Sequence, residues 1–312
     1  MMLDAIAPIS AVLNITHKDC FDGLVSAWVV RKWAKKNAFA YEVQYANYND
    51  PLPDIEMFRG KIVVITDFSY PLAFFVEISR VALKVMMFDH HASAKLNFED
   101  LDIGQLSCPS TVKFDKNYSG AGLAWKHLYP DHPEPLIIRV AQDHDLWRFE
   151  HMETKPVMAY LGMLGLSFES VDWIDANVEE AVNRGQLLVE KDDQMVGWHL
   201  KNVQYFHVSE LNLPPVPIVN APRYIASKVA DRLTSDHPLV IMYEDYADSR
   251  KGSMRSSKVW NTDCTVFAGL FGGGGNPTAS GCQFQRGTPV SAQLLMKPKF
   301  VLEYLKLKKR EV

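Results

Sequence analysis

Short apolar runs that end on acidic or imidazole side chains set the tightest limits on how this chain folds. Residues 12–16 (Val-Leu-Asn-Ile-Thr) run into His17, residues 62–66 (Ile-Val-Val-Ile-Thr) into Asp67, and residues 83–88 into Asp89-His90-His91. Runs of this length, rich in apolar and β-branched residues, predict strands buried on both faces. A further strand is expected at 42–47. Between them, residues 22–36 carry Leu24, Val25, Trp28, Val29 and Trp33 at helical spacing, and 71–80 predicts a second helix. Strands alternating with helices predict an α/β fold, a mostly parallel sheet flanked by helices.

Helices are expected at 119–129 and 135–147, then a long one over 174–202. The stretch Leu213-Pro214-Pro215-Val216-Pro217 forbids helix and marks a boundary. A strand at 217–220, a helix at 223–234, a strand at 238–243 and a polar turn at 247–253 lead to a glycine-rich segment. The expected organisation is a first domain at 1–185, a linker helix region at 186–209 and a smaller α/β domain at 210–312. The terminal Lys306, Lys308, Lys309 and Arg310 read as a solvated helix face.

With 47% hydrophobic and 22% charged residues, the composition is that of a globular protein. The net charge of -4 provides no general basic coat for long nucleic acid, so a nucleic-acid substrate should be short or gripped locally. No apolar stretch approaches the roughly 20 residues that span a bilayer, so no membrane partner is expected. Cys20, Cys108, Cys264 and Cys282 show neither disulfide-like nor paired metal-binding spacing, which suits a reducing compartment. The N-terminus lacks a basic segment of the secretory kind, and the expected location is cytoplasmic.

Buried carboxylates at strand ends call for a compensating charge, and a metal ion is the usual source. His17, Asp19 and Asp22, in Thr-His-Lys-Asp-Cys-Phe-Asp-Gly (16–23), offer nitrogen and oxygen donors within six residues. Taken alone, Asp22 equally suits a helix N-cap and Asp19 a solvated loop. Asp67 alone equally suits a turn. Adjacent histidines at 90 and 91 seldom both serve packing. Gln142-Asp143-His144-Asp145 ends an apolar helix. In an open parallel sheet, ligands gather beyond the carboxyl ends of the strands, where these groups would meet. Two cations roughly 3.5–4 Å apart would neutralise them and are a known device for phosphoryl transfer.

On these motifs the chain resembles the DHH phosphoesterase superfamily, with its C-terminal DHH-associated domain. The resemblance implies two divalent metal ions, manganese first, held by His17, Asp22, Asp67, His90 and Asp143, with Asp67 bridging. It places His91 nearest the scissile phosphate and has Asp89 orient its neighbours. Family members usually carry two aspartates one residue apart in the first motif; here Cys20 stands at the earlier position, which leaves open a weaker site or an approach of Cys20 itself to the metal, and Asp19, displaced by one residue, is the favoured substitute. The run Gly272-Gly273-Gly274-Gly275-Asn276, followed by Ala279-Ser280-Gly281, resembles the family's substrate-binding loop, with Asn276 where a histidine is usual. Gly273, Gly274, Gly275, Asn276, Arg255 and, more weakly, Arg286 are thus expected to bind substrate, the arginines through phosphate.

The implied function is hydrolysis of oligonucleotides of a few residues to mononucleotides by a manganese-dependent phosphodiesterase, as in nanoRNases and oligoribonucleases. Cyclic-dinucleotide phosphodiesterase and adenosine bisphosphate phosphatase are the enzymatic alternatives. A non-catalytic nucleotide sensor is the alternative of a different class. A homodimer is compatible with any of them.

Overall fold

The structure is a computed structural model and describes residues 11–48, 50–207, 214–257, 259–260 and 262–307. Lys308, Lys309 and Arg310 of the basic terminus lie outside the described residues. The chain divides into two units, residues 1–189 and 190–312.

In the first unit the elements run β1 (Ala11–His17), α1 (Phe21–Lys36), β2 (Ala40–Ala46), β3 (Ile62–Thr66), α2 (Leu72–Val81), β4 (Lys84–Asp89), α3 (Ala92–Asn97), β5 (Ser110–Phe114), α4 (Gly120–Leu128), α5 (Leu136–Asp145), α6 (Thr154–Leu164) and α7 (Phe168–Ala176). The strands form one parallel sheet in the order β2-β1-β3-β4-β5. Alternation along the strands feeds two cores. Val12, Val64, Met86 and Phe88 pack with Trp28 of α1, Ala124 of α4 and Ile138 of α5. Leu13, Ile15, Val63, Ile65, Val85 and Met87 pack on the other side with Phe75 and Ile78 of α2. A parallel sheet buried on both faces explains the near-continuous apolar strands.

Order 2-1-3-4-5 reverses direction between β1 and β3, and the crevice beyond their carboxyl ends is where such sheets bind ligands. Register brings the motifs to that crevice. Thr16 pairs with Thr66, and Thr66 with Phe88. His17, Asp67 and Asp89 therefore each come directly after these paired positions, Asp67 just beyond the end of β3.

The helix α8 (Val178–Lys201) closes the first unit and opens the second. The expected single helix over 174–202 is thus two, broken at Asn177, whose non-helical backbone caps α7. The second unit continues with β6 (Gln204–Phe206), β7 (Val216–Asn220), α9 (Arg223–Leu233), β8 (Val240–Asp245), β9 (Arg250–Arg255), α10 (Cys264–Gly269), β10 (Gly274–Asn276), β11 (Ala279–Phe284), α11 (Val290–Leu295) and α12 (Pro298–Tyr304). Its sheet order is β10-β11-β9-β8-β7-β6, with only β7 and β8 parallel. Ile218, Ile241, Met254, Phe267, Phe284 and Phe300 make one core, and Val219, Val240, Ile225 and Val229 another. Part of the expected polar turn at 247–253 is strand, because β9 begins at Arg250. No helix among the described residues is long and apolar enough to cross a membrane.

Candidate metal centre

At the carboxyl ends of β1, β3 and β4 the donor atoms fall into three overlapping groups, within each of which they lie no more than 4.8 Å apart. These are His17 with Cys20 and Asp67; Asp67 with Asp89, His90 and His91; and Asp22 with His90 and Asp145. Asp67 joins the first two groups and His90 the last two.

Asp67 is 1% exposed and follows β3 with a left-handed backbone, φ 52°, which Asp tolerates better than most residues. Its two oxygens face different partners. Oδ1 lies 3.1 Å from His90 Nε2, and Oδ2 lies 3.8 Å from His17 Nδ1. The N-terminus of α4 sits directly against it: a Cβ on Gly120 would fall 2.6 Å from Asp67 Cβ and 2.7 Å from its Cα. Gly23 is confined in the same way, because a Cβ there would meet the His17 carbonyl oxygen at 2.3 Å. Thr16 Oγ1 donates to the Gly23 carbonyl (2.9 Å), tying the end of β1 to the start of α1. Asp22, in the first turn of α1, is buried and accepts from the Ala121 N–H at the start of α4 (3.3 Å).

Asp89 is fully buried. Its Oδ1 accepts from the backbone N–H groups of His90 (2.7 Å) and His91 (3.2 Å) and lies 2.7 Å from His91 Nδ1. That pairing fixes the imidazole, which is part-exposed and lies beside the rings of Tyr48 and His90. Asp145 Oδ2 stands 3.4 Å from His90 Nε2.

Desolvation and like charge dominate this cluster. Burial, then the charges of Asp67 and Asp145, push the Asp22 carboxyl well above the usual range. Asp145 is raised by burial and by Asp67, although His90 works against this. Burial disfavours charge on His90, but its hydrogen bond to Asp67 and the surrounding carboxylates outweigh that and raise it. His91 is raised chiefly by its hydrogen bond to Asp89. Cys20 is raised by burial and then by Asp67. Asp67 Oδ2, Asp89 Oδ2 and Asp145 Oδ2 are buried with no hydrogen-bond partner. Several buried carboxylates, each with an oxygen left over, are costly without a cation or protons. Mixed carboxylate and imidazole donors suit a divalent ion, so the residues present fit one.

Two expected positions lie elsewhere. Asp19 is exposed, with a left-handed backbone (φ 52°) at the turn between β1 and α1, and it joins none of the three groups; Cys20 does. Asp143 also joins none. Its carboxylate accepts from the N–H groups of Glu150 (2.9 Å) and His151 (3.2 Å) and from Thr154 Oγ1 (2.5 Å), which fastens the loop after α5 to α6. Asp145, two residues on and roughly 200° around the helix, is the carboxylate that faces His90.

Sequence reasoning also missed Tyr48. Its ring centroid lies 5.8 Å from those of both His17 and His91 and 4.9 Å from Phe68. Tyr48 and Phe68 form one edge of a cleft of about 600 Å³, which Tyr70, Pro51, Leu52 and Asn97 also line.

In the second unit, Arg255 and Gly273 line a cavity of about 590 Å³ together with Ser253, Ser280 and Tyr243. Burial lowers the Arg255 guanidinium from its ordinary value. Gly274, Gly275 and Asn276 instead form β10, an exposed strand paired with Gly281, Ser280 and Ala279. Gly273 has a packing reason of its own, since a Cβ there would lie 2.0 Å from the Gly281 carbonyl oxygen. Arg286 donates to the Ala247 carbonyl and does not line the cavity.

No family model matches the chain. An uncharacterised protein of Acanthamoeba polyphaga mimivirus, R106, is 27% identical over 287 residues, covering 86% of this chain; the chain spans 66% of that relative's length. Among solved structures, a pGpG-specific phosphodiesterase from Vibrio cholerae matches with a TM-score of 0.54 at 14% identity, over 95% of this chain and 99% of that one. RecJ of Thermus thermophilus in complex with Mn2+ matches with a TM-score of 0.52 at 14% identity, over 97% of this chain and 53% of that one. The protein has the fold of the DHH phosphoesterases.

Proposed function

We propose that this chain is a metal-dependent phosphodiesterase that hydrolyses short oligonucleotides, di- to few-nucleotide substrates, to mononucleotides. The observation that carries this reading is the register of β1, β3 and β4, which sets His17, Asp67 and Asp89 side by side with buried carboxylate oxygens left over. The fold likeness to a pGpG-specific phosphodiesterase supports a short substrate.

In this reading His17, Asp22, Asp67, His90 and Asp145 would hold two divalent ions, and Asp67, whose Oδ1 faces His90 and Oδ2 faces His17, would serve both donor groups that it joins. Bound there, the cations would supply Lewis acidity and neutralise charge on the phosphodiester. The chain's own groups do the rest. Asp89 holds the His91 ring through Nδ1, leaving Nε2 to meet the substrate and give a proton to the leaving oxygen. Tyr48, exposed and packed on the buried Phe68 ring, offers a flat face beside the cluster on which a base can stack. By itself, the second unit offers Arg255, which lines its cavity with Gly273, as a bidentate donor for a phosphate.

Incubation of the protein with labelled di- to pentanucleotides, with and without manganese, tests this. Release of mononucleotides that stops on chelation is expected. Binding without turnover would make the chain a nucleotide sensor, and turnover indifferent to chelation would exclude the metal reading.

A further inference from the structure

Cys20 occupies the N-cap of α1, a position where Ser, Thr, Asp and Asn serve because their oxygens accept from the first turn. Its side chain makes no cap hydrogen bond. Its sulfur instead lies within 4.8 Å of donor atoms of His17 and Asp67, while the neighbouring Asp19, which could have brought an oxygen, is exposed. Asp67 Oδ2, 3.8 Å from His17 Nδ1, is buried and has no hydrogen-bond partner, so an unspent acceptor points into the same space. One nitrogen, one sulfur and one oxygen thus converge on a point that the Asp22, His90 and Asp145 group does not share.

We propose that His17, Cys20 and Asp67 form a mixed nitrogen, sulfur and oxygen site that takes a borderline-soft divalent ion, zinc or cobalt, in preference to manganese or magnesium. The position built from Asp22, His90 and Asp145, which has no sulfur donor, keeps its preference for harder ions. Thiolate ligands favour zinc over the hard cations, and among divalent first-row transition ions manganese binds such donors most weakly. On ligation the thiol gives up its proton to solvent and the sulfur lone pair forms the metal bond. The inference rests on the cluster binding cations, as in the proposed function, but not on hydrolysis.

The test is a cobalt(II) titration of the full chain after chelation, followed in the near ultraviolet, where thiolate-to-cobalt charge transfer absorbs. A band that saturates at one equivalent is expected. Cys20→Ser should lose it and Cys108→Ser should keep it, because Cys108 lies away from the cluster beside Ser110. Cys20→Asp should retain two ions and move the zinc-to-manganese competition towards manganese. Should the Cys20 variants fail to fold, X-ray absorption of the zinc-loaded native protein reads the same point as one sulfur in the zinc shell. Two equivalents of cobalt bound with no thiolate band, a band that survives Cys20→Ser, no cobalt bound, or a zinc shell without sulfur would each overturn the proposal. A thiolate band in a protein that cleaves no nucleotide would leave this site standing and remove the phosphodiesterase reading. Metal-dependent cleavage with no band would do the reverse.

Discussion

Asp143 and Asp145 stand two residues apart at the end of α5 and meet different surroundings. Asp143 accepts from Glu150, His151 and Thr154, whereas Asp145 faces His90 among other carboxylates. Removing Asp143 leaves buried donors without an acceptor, so Asp143→Ala should lower stability by about 3 kcal/mol in denaturant titration. Asp145→Ala relieves like-charge crowding, so stability of the metal-free protein should hold or rise while metal binding and turnover are lost. A stable Asp143→Ala protein that has lost turnover, beside an active Asp145→Ala, would reverse the two roles. His17, Asp67, Asp89 and His90 were legible as candidates because each follows directly on an apolar strand. The choices between Asp19 and Cys20, and between Asp143 and Asp145, were not. The first depends on the left-handed turn at Asp19. The second depends on which side of α5 faces the cluster, and Ile137, Ile138, Val140 and Ala141 are all buried, so the apolar arc is too broad to tell.

At the level of elements, the centre depends on how closely α4 approaches the end of β3. Gly120→Ala puts a Cβ within 2.8 Å of three atoms of Asp67, all of them rigidly held. Overpacking of this kind costs about 1–3 kcal/mol, and the displaced Asp67 should weaken metal binding measured by calorimetric titration. Gly162→Ala in α6, with nothing within 4 Å of its Cβ, should leave both unchanged. Equal effects from the two substitutions would mean that the contact at Asp67 does not matter. The buried strands β1, β3 and β4 announced themselves by unbroken apolar runs. β5 did not, because its residues are only part-buried at the end of the sheet. β9 and β11, Arg-Lys-Gly-Ser-Met-Arg and Ala-Ser-Gly-Cys-Gln-Phe, carry small and polar residues that read as turn and loop, and pairing with each other makes them strands. The glycine run has a comparable explanation in part, since the close approach of Gly273 to Gly281 leaves no room for a side chain.

For the molecule as a whole, an acidic chain of net charge -4 concentrates Asp22, Asp67, Asp89 and Asp145 in one crevice, where their mutual repulsion calls for cations or protons to offset it. The α/β organisation followed from the strand and helix periodicities alone, whereas the convergence of the motifs needed the register of three neighbouring strands. Anomalous diffraction from crystals of the full chain grown with manganese and zinc bears on that convergence most directly. Two anomalous peaks are expected, one among His17, Cys20 and Asp67 and the other among Asp22, His90 and Asp145. Side chains in the positions described here with no anomalous density between them would contradict the metal centre and the function drawn from it.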